Sequence, residues 1–242
     1  MVYKSAKIGK KEIIVSGISK GSGMIAPNMA TTLSFLVTNA DLSNAELYTY
    51  LKTAIDKSLN MVSLDTDTST NDLVLIFSTG EKKFSKQSKE YCDAFQDLMT
   101  DACIDLAKQM ARDGEGATKL VEVAVSGAAS INDARIVAKN IANSPLVKTA
   151  ITAASPNWGR IIMAIGKDPN VKVNQKKLDI SISDVSLVSM GNIEDFDVNK
   201  AIQALESDTV SIQVNLNLGH HEATAWGCDL THEFIRINAE YN

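Results

Sequence analysis

The chain has 242 residues, 45% of them hydrophobic, and a net charge of −5. That length holds one large or two small domains with a real core. The acidic balance leaves no basic footprint for nucleic acid, and no apolar run reaches membrane-spanning length. The N-terminal stretch MVYKSAKIGKKEIIV has charges but no signal-type apolar core with a cleavage site. The three cysteines, Cys92, Cys103 and Cys228, are odd in number and lack metal-ligand spacing. They read as reduced packing residues, which fits a cytoplasmic protein.

The first expected element is a strand at Glu12–Gly17, where β-branched residues precede a Gly-rich turn. The stretch from Lys20 to Thr32, KGSGMIAPNMATT, follows. Pro27 biases Ala26 away from helix. The stretch therefore reads as a kinked loop that delivers Thr31 and Thr32 to the apolar strand opening at Leu33. The bland reading of Ala30-Thr31-Thr32 is a β-branched strand entry with solvated hydroxyls. The sharp reading is a nucleophile at Thr31, released by cleavage of the Ala30–Thr31 bond. A threonine hydroxyl is weak alone, but a free α-amino group on the same residue, with a pKa of about 8, can act as its base.

Ser43 and Glu46 form a capping box for a helix carrying Leu47, Leu51, Ala54 and Ile55, which ends near Asn60. The polar run from Asp65 to Asp72 is a loop by composition, before the strand Leu73–Phe77. Its aspartates lack the Gly and the terminal Glu of a calcium loop. Residues 84–112 form a long amphipathic helix with Tyr91, Phe95, Leu98, Met99, Ala102, Leu106 and Met110 on one side. Gly114-Glu115-Gly116 then leads into a strand at Leu120–Val125. By spacing alone Glu115 is a turn residue. From residue 126 the composition shifts, which places a domain boundary between residues 125 and 126. Helices start at Ser130 or Asn132 and at Ser144-Pro145. Ser155–Arg160 is a turn. Strand-like runs follow at 178–182, 185–188, 210–216 and 222–228. His220, His221 and His232 have no ligand-spaced partners, so a structural or solvated role is expected rather than a metal. By spacing, residues 234–242 are a frayed end. The expected class is α/β, layered α+β, with a nucleophile-bearing domain at 1–125 and a second, smaller α/β domain at 126–242.

The run KGSGMIAPNMATT resembles the self-processing motif of the ornithine acetyltransferases, also called bifunctional glutamate N-acetyltransferases of arginine biosynthesis. Asp-Thr-Asp-Thr-Ser-Thr-Asn-Asp, Gly-Glu-Gly-Ala-Thr-Lys, Pro-Asn-Trp-Gly-Arg and Ile-Asn-Ala-Glu-Tyr follow in the family's order. The resemblance covers essentially this whole chain, but not the whole family protein. It implies the self-processing acetyltransferase/aminopeptidase type of fold. It also implies autocleavage at Ala30–Thr31 and ping-pong transfer of acetyl from N2-acetyl-L-ornithine to L-glutamate through an acetyl ester on the catalytic residue Thr31.

The resemblance places Lys20, Thr31, Glu115 and Asn238 against substrate. Lys20 would pair with a carboxylate, Glu115 would meet the substrate amine, and Asn238 would reach the α-carboxylate. By spacing, Lys20 reads as a solvated loop lysine. No metal and no cofactor are implied, with acetyl-CoA as a further acetyl donor. The family's oxyanion hole comes from a Thr-Gly pair ahead of this stretch. The expected partner is therefore an α-type chain, in a hetero-oligomer of αβ units. A family threonine that assists Asn238 would come just after Asn242. Thr66 stands where the family commonly has Gly, and Ser155 where it has Asp. Either the turn at 66 differs or it tolerates a side chain. The alternatives are an N-terminal-nucleophile amidohydrolase or aminopeptidase, or a non-catalytic chain that needs a partner.

Overall fold

The computed structural model describes residues 1–25, 33–67, 72–83 and 88–240. Ala30 and Thr31, the expected cleavage site, lie outside the described residues, as do the family motif's residues 68–71 and the terminal pair 241–242. The chain divides into two compact units. One comprises Met1–Val62 with Asp67–Met110, and the other Ser63–Thr66 with Ala111–Asn242.

The first unit is built on a four-stranded sheet in the order β1(Val2–Ile8), β2(Lys11–Lys20), β3(Leu33–Ala40), β4(Leu73–Lys82). The first three strands pair antiparallel, and β3 pairs parallel with β4. A parallel pair needs a crossover, and α1(Asn44–Asp56) supplies it. Its start is the capping box expected from the sequence: the Ser43 hydroxyl accepts from the Glu46 N–H, and Glu46 accepts from the Ser43 N–H at 2.8 Å. The long helix α2(Lys89–Arg112) completes the unit; residues 84–87, the first of the helix expected from the sequence, lie outside the described residues.

On β3, side chains alternate between buried Ser34, Leu36 and Thr38 and more exposed Leu33, Phe35 and Val37. Of the inward set, Leu36 joins Leu47, Leu51 and Ile55 of α1 and Phe95, Met99 and Leu106 of α2 in one core. Both helices therefore pack on one face of the sheet. The other face presents Leu33, Phe35, Val37, Leu73, Leu75 and Phe77, each more than a third exposed.

The second unit holds a six-stranded sheet in the order β10(His221–Cys228), β5(Leu120–Ala128), β9(Thr209–Asn215), β6(Asp179–Ile182), β7(Val185–Ser189), β8(Asn192–Ile193). Only β5 and β9 pair in parallel. Its helices are α3(Ile131–Ala142), α4(Pro145–Thr152), α5(Trp158–Ile165), α6(Val198–Glu206) and α7(His232–Glu240), and α3 lies along β5 and β10. Ser130 and Ser144 cap α3 and α4, and Pro145 occupies the first turn of α4, as the sequence indicated.

The sequence boundary at 125/126 falls inside β5, which is bonded to β9 on one side and β10 on the other. Hydrogen-bonded sheet partners hold that strand in the second unit. The division therefore comes at Met110/Ala111, and the second unit takes in more of the chain than the first. Segment Ser63–Thr66 joins the second unit for a local reason. The Ser63 N–H donates to the Trp226 carbonyl at 2.9 Å, and Gly227 leaves room for the Ser63 carbonyl, which would lie 2.8 Å from any Cβ there. The ammonium of Lys148, only 4% exposed, donates to the Leu64 carbonyl and lies 3.7 Å from the Cys228 sulfur.

Two further expectations change. The turn at Ser155–Arg160 passes into α5 at Trp158, because Asn157 accepts from the Arg160 N–H and caps a helix. The terminal stretch is not frayed: it forms α7, with Glu233, Arg236 and Glu240 in ion pairs on its surface.

Candidate functional site

Lys20 closes β2 and stands in register with Leu33, the first residue of β3. Leu33 in turn is in register with Leu73, the first residue of β4. The end of β2, the start of β3 and the start of β4 therefore meet at one end of the sheet. Two sequence motifs, the Lys20–Thr32 stretch and the polar run that ends at Asp72, lead into that end. Lys20 itself is exposed.

In the second unit the structure brings two expected site residues into contact. The Asn238 amide donates from Nδ2 to Glu115 Oε2 at 3.0 Å and also to the Phe234 carbonyl at 3.0 Å. Glu115 sits on the Gly-Glu-Gly loop after α2, and Asn238 on α7. The loop fits against the helix because Gly116 has no side chain. Its φ is +66°, and a Cβ there would stand 2.5 Å from the Phe234 nitrogen and 2.8 Å from the Glu233 carbonyl carbon. Both the backbone conformation and the close approach require glycine. The Thr231 hydroxyl donates to the Gly116 carbonyl at 2.6 Å and clasps the loop to the start of α7.

A residue outside the sequence expectations anchors this arrangement. Asp229 is 2% exposed. It accepts from the Thr118 and Lys119 N–H groups at 2.8 and 3.0 Å, and from the Thr118 hydroxyl at 2.6 Å. Its partners lie more than a hundred residues away in sequence, so no local pattern could have flagged it.

The three cysteines are free thiols. Burial raises the Cys228 thiol pKa, against the lowering effect of Lys148 nearby, and pushes the Cys103 thiol up to about 12. Two buried, protonated thiols fit packing roles rather than nucleophilic ones. The rings of His220 and His221 stack on each other at 4.6 Å. Among the described residues, no three His, Cys, Asp or Glu side chains group as a metal site, and no helix is long and apolar enough to cross a membrane.

Both N–H groups of the Asn238 amide are thus used within the chain, which fixes the amide beside the Glu115 carboxylate. The fold is that of a two-unit α/β protein in which Glu115 and Asn238 stand side by side. The chain belongs to the ArgJ family, whose sequence model matches residues 1–242. It is 46% identical over 237 residues to the arginine biosynthesis bifunctional protein ArgJ of Halalkalibacterium halodurans, covering 97% of this chain and 57% of that protein. It is 47% identical over 234 residues to the glutamate N-acetyltransferase of Methanosarcina mazei, covering 94% of this chain and 58% of that protein. The crystal structure of ArgJ from Bacillus halodurans superposes with a TM-score of 0.81 at 43% identity, over 86% of this chain and 98% of that one. The chain thus spans somewhat more than half the length of the curated relatives it matches. The expected α/β class stands on that superposition.

Proposed function

We propose that the chain is the nucleophile-bearing part of an acetyltransferase that moves acetyl from N2-acetyl-L-ornithine to L-glutamate in arginine biosynthesis. The observation that carries this reading is the Glu115–Asn238 contact at 3.0 Å, within a chain of the ArgJ family. Glu115 meets the ammonium of ornithine or of its acetyl derivative, Asn238 turns one of its N–H groups from Glu115 or Phe234 to the α-carboxylate, and Lys20 pairs with a carboxylate. A carboxylate facing an ammonium is favourable when both lose water together and keep their hydrogen bonds.

Scission between Ala30 and Thr31 gives Thr31 a free amine. That amine takes the proton of Thr31 Oγ as the oxygen attacks the acetyl carbonyl. The amide C–N bond breaks, the amine of ornithine leaves with a proton, and acetyl remains on Thr31 as an ester. Glutamate then attacks the ester through its own amine, and the Thr31 hydroxyl is regenerated. No cofactor is needed, and acetyl-CoA is a second donor that reaches the same ester.

The oxyanion formed during attack needs donors aimed at it. We assign these to a polypeptide equivalent to the rest of the family protein. The bare apolar face of the first sheet supports such a partner, since exposed apolar patches of this kind mark interaction sites. A cytoplasmic αβ assembly that binds N-acetylornithine, ornithine and glutamate is the resulting picture.

The test is an acetyl-transfer assay with the chain alone, with the partner polypeptide, and with Thr31→Ala. Transfer should need the partner, and Thr31→Ala should abolish both scission and transfer. Acetylornithine consumed without acetylglutamate would show a hydrolase instead. Transfer by the chain alone would contradict the partner's role.

A further inference from the structure

We propose that Asp229 is a positioning residue that sets Glu115 against Asn238. The proposal rests on the amino-acid reading of that pair and deepens it. Asp229 stands between the end of β10 at Cys228 and the start of α7 at His232. Its Oδ1 accepts from the N–H groups of Thr118 and Lys119 at 2.8 and 3.0 Å. Its Oδ2 accepts from the Thr118 hydroxyl at 2.6 Å and faces the Thr152 hydroxyl at 3.4 Å. Thr152 also donates to the Leu230 carbonyl at 2.8 Å, and the Lys119 ammonium donates to the Ile151 carbonyl at 3.0 Å.

One buried carboxylate on the linker into the helix that carries Asn238 therefore binds the loop that carries Glu115, while Thr152, at the C-terminal end of α4, gives its one hydroxyl hydrogen to the Leu230 carbonyl of the same linker. A carboxylate suits this place because it only accepts, and the two loop N–H groups and the Thr118 hydroxyl that face it donate. The loop is also tied to this linker by the Thr231 hydroxyl on the Gly116 carbonyl and, at 3.4 Å, by the Asp229 N–H on the Lys119 carbonyl. Loss of Asp229 leaves two loop N–H groups without their acceptor and frees the loop to shift along the helix. A displacement of about an ångström in a binding pair weakens what it holds severely.

The experiment compares the full chain with Asp229→Ala and Asp229→Asn by two readouts. One is the NMR signal of the Asn238 side-chain amide, assigned with Asn238→Ala. The other is calorimetric binding of L-ornithine. Asp229→Ala should move the Asn238 signal toward that of a free amide and weaken ornithine binding by about tenfold or more. Asp229→Asn keeps one oxygen for the two loop N–H groups, so it should restore the signal and keep binding within about threefold. Should Asp229→Ala fail to fold, Thr118→Val with Thr152→Val strips both hydroxyl donors and should move the same signal. An unmoved Asn238 signal in the folded alanine or double-valine protein overturns the proposal, as does failure of the asparagine to restore it. If the unaltered chain does not bind ornithine but the Asn238 signal responds as described, the amino-acid reading falls and the role of Asp229 stands.

Discussion

Thr66 has a φ of +73°, a left-handed conformation that a β-branched residue rarely adopts. The family resemblance puts glycine at this place, and the structure gives the reason: the turn keeps its left-handed backbone and carries a side chain anyway. Left-handed backbone costs an L residue roughly 1–2 kcal/mol, while the added chain entropy of glycine returns part of that. Thr66→Gly is therefore expected to stabilise the protein by about 1 kcal/mol, read as a higher denaturant midpoint at unchanged slope. A lower midpoint would contradict the strain. Cys103 yields a second expectation at this scale. Burial pushes its thiol pKa up to about 12, from 9.0 for an exposed thiol. The folded state thus keeps a proton that the unfolded chain releases, so stability is whole below pH 9 and is lost as pH rises toward 12. The slope for one such group is about 1.4 kcal/mol per pH unit, and Cys103→Ala should flatten alkaline unfolding by that amount.

Among the elements, the Gly-Glu-Gly loop and α7 matter most because each carries half of the pair. Gly116→Ala puts a methyl group into the backbone of Glu233 and Phe234 at a φ unsuited to alanine. It should push α7 off the loop, separate Glu115 from Asn238, and cost roughly 1–3 kcal/mol of stability in denaturant unfolding. An alanine variant with unchanged stability and unchanged ornithine binding would show that the approach is not tight. The elements also show where sequence reading works. Ser43 with Glu46, and Ser144 with Pro145, announce helices because a cap acts within one turn of its own position. The strand β9 announces itself by apolar residues at alternate positions, Val210, Ile212 and Val214, all of which are buried, and β3 by its apolar run from Leu33 to Val37. Elements with few buried residues stay silent. The strand β1 buries only its end residues Val2 and Ile8, α6 buries only Ala201 and Leu205, and α7 buries none. The pair Glu115–Asn238 was legible through the family motifs. Asp229 was not, because its bonds join residues far apart in the chain and depend on tertiary structure alone.

For the whole molecule, the first sheet has helices on one face and an apolar surface of Leu33, Phe35, Val37, Leu73, Leu75 and Phe77 on the other. A surface of this kind drives association unless a partner covers it. The isolated chain should self-associate or bind a hydrophobic dye. Phe35→Ser with Phe77→Ser should reduce both while leaving the circular dichroism unchanged, and should also prevent pairing with the remaining part of the family protein. A monodisperse chain that binds neither dye nor partner would contradict this use of the sheet. The placement of the 63–66 segment shows a limit of linear reading. Composition suggests that domains are continuous stretches of sequence, yet hydrogen bonding to Trp226 and Lys148 draws these residues into the second unit.

The most direct measurement is mass spectrometry of the chain, purified with the rest of the family protein and mixed with N-acetylornithine. The proposed chemistry predicts a polypeptide that begins at Thr31, carries one acetyl group on that threonine, and is absent from the Thr31→Ala variant. A chain still joined between Ala30 and Thr31, or an acetyl group on any other residue, would contradict it.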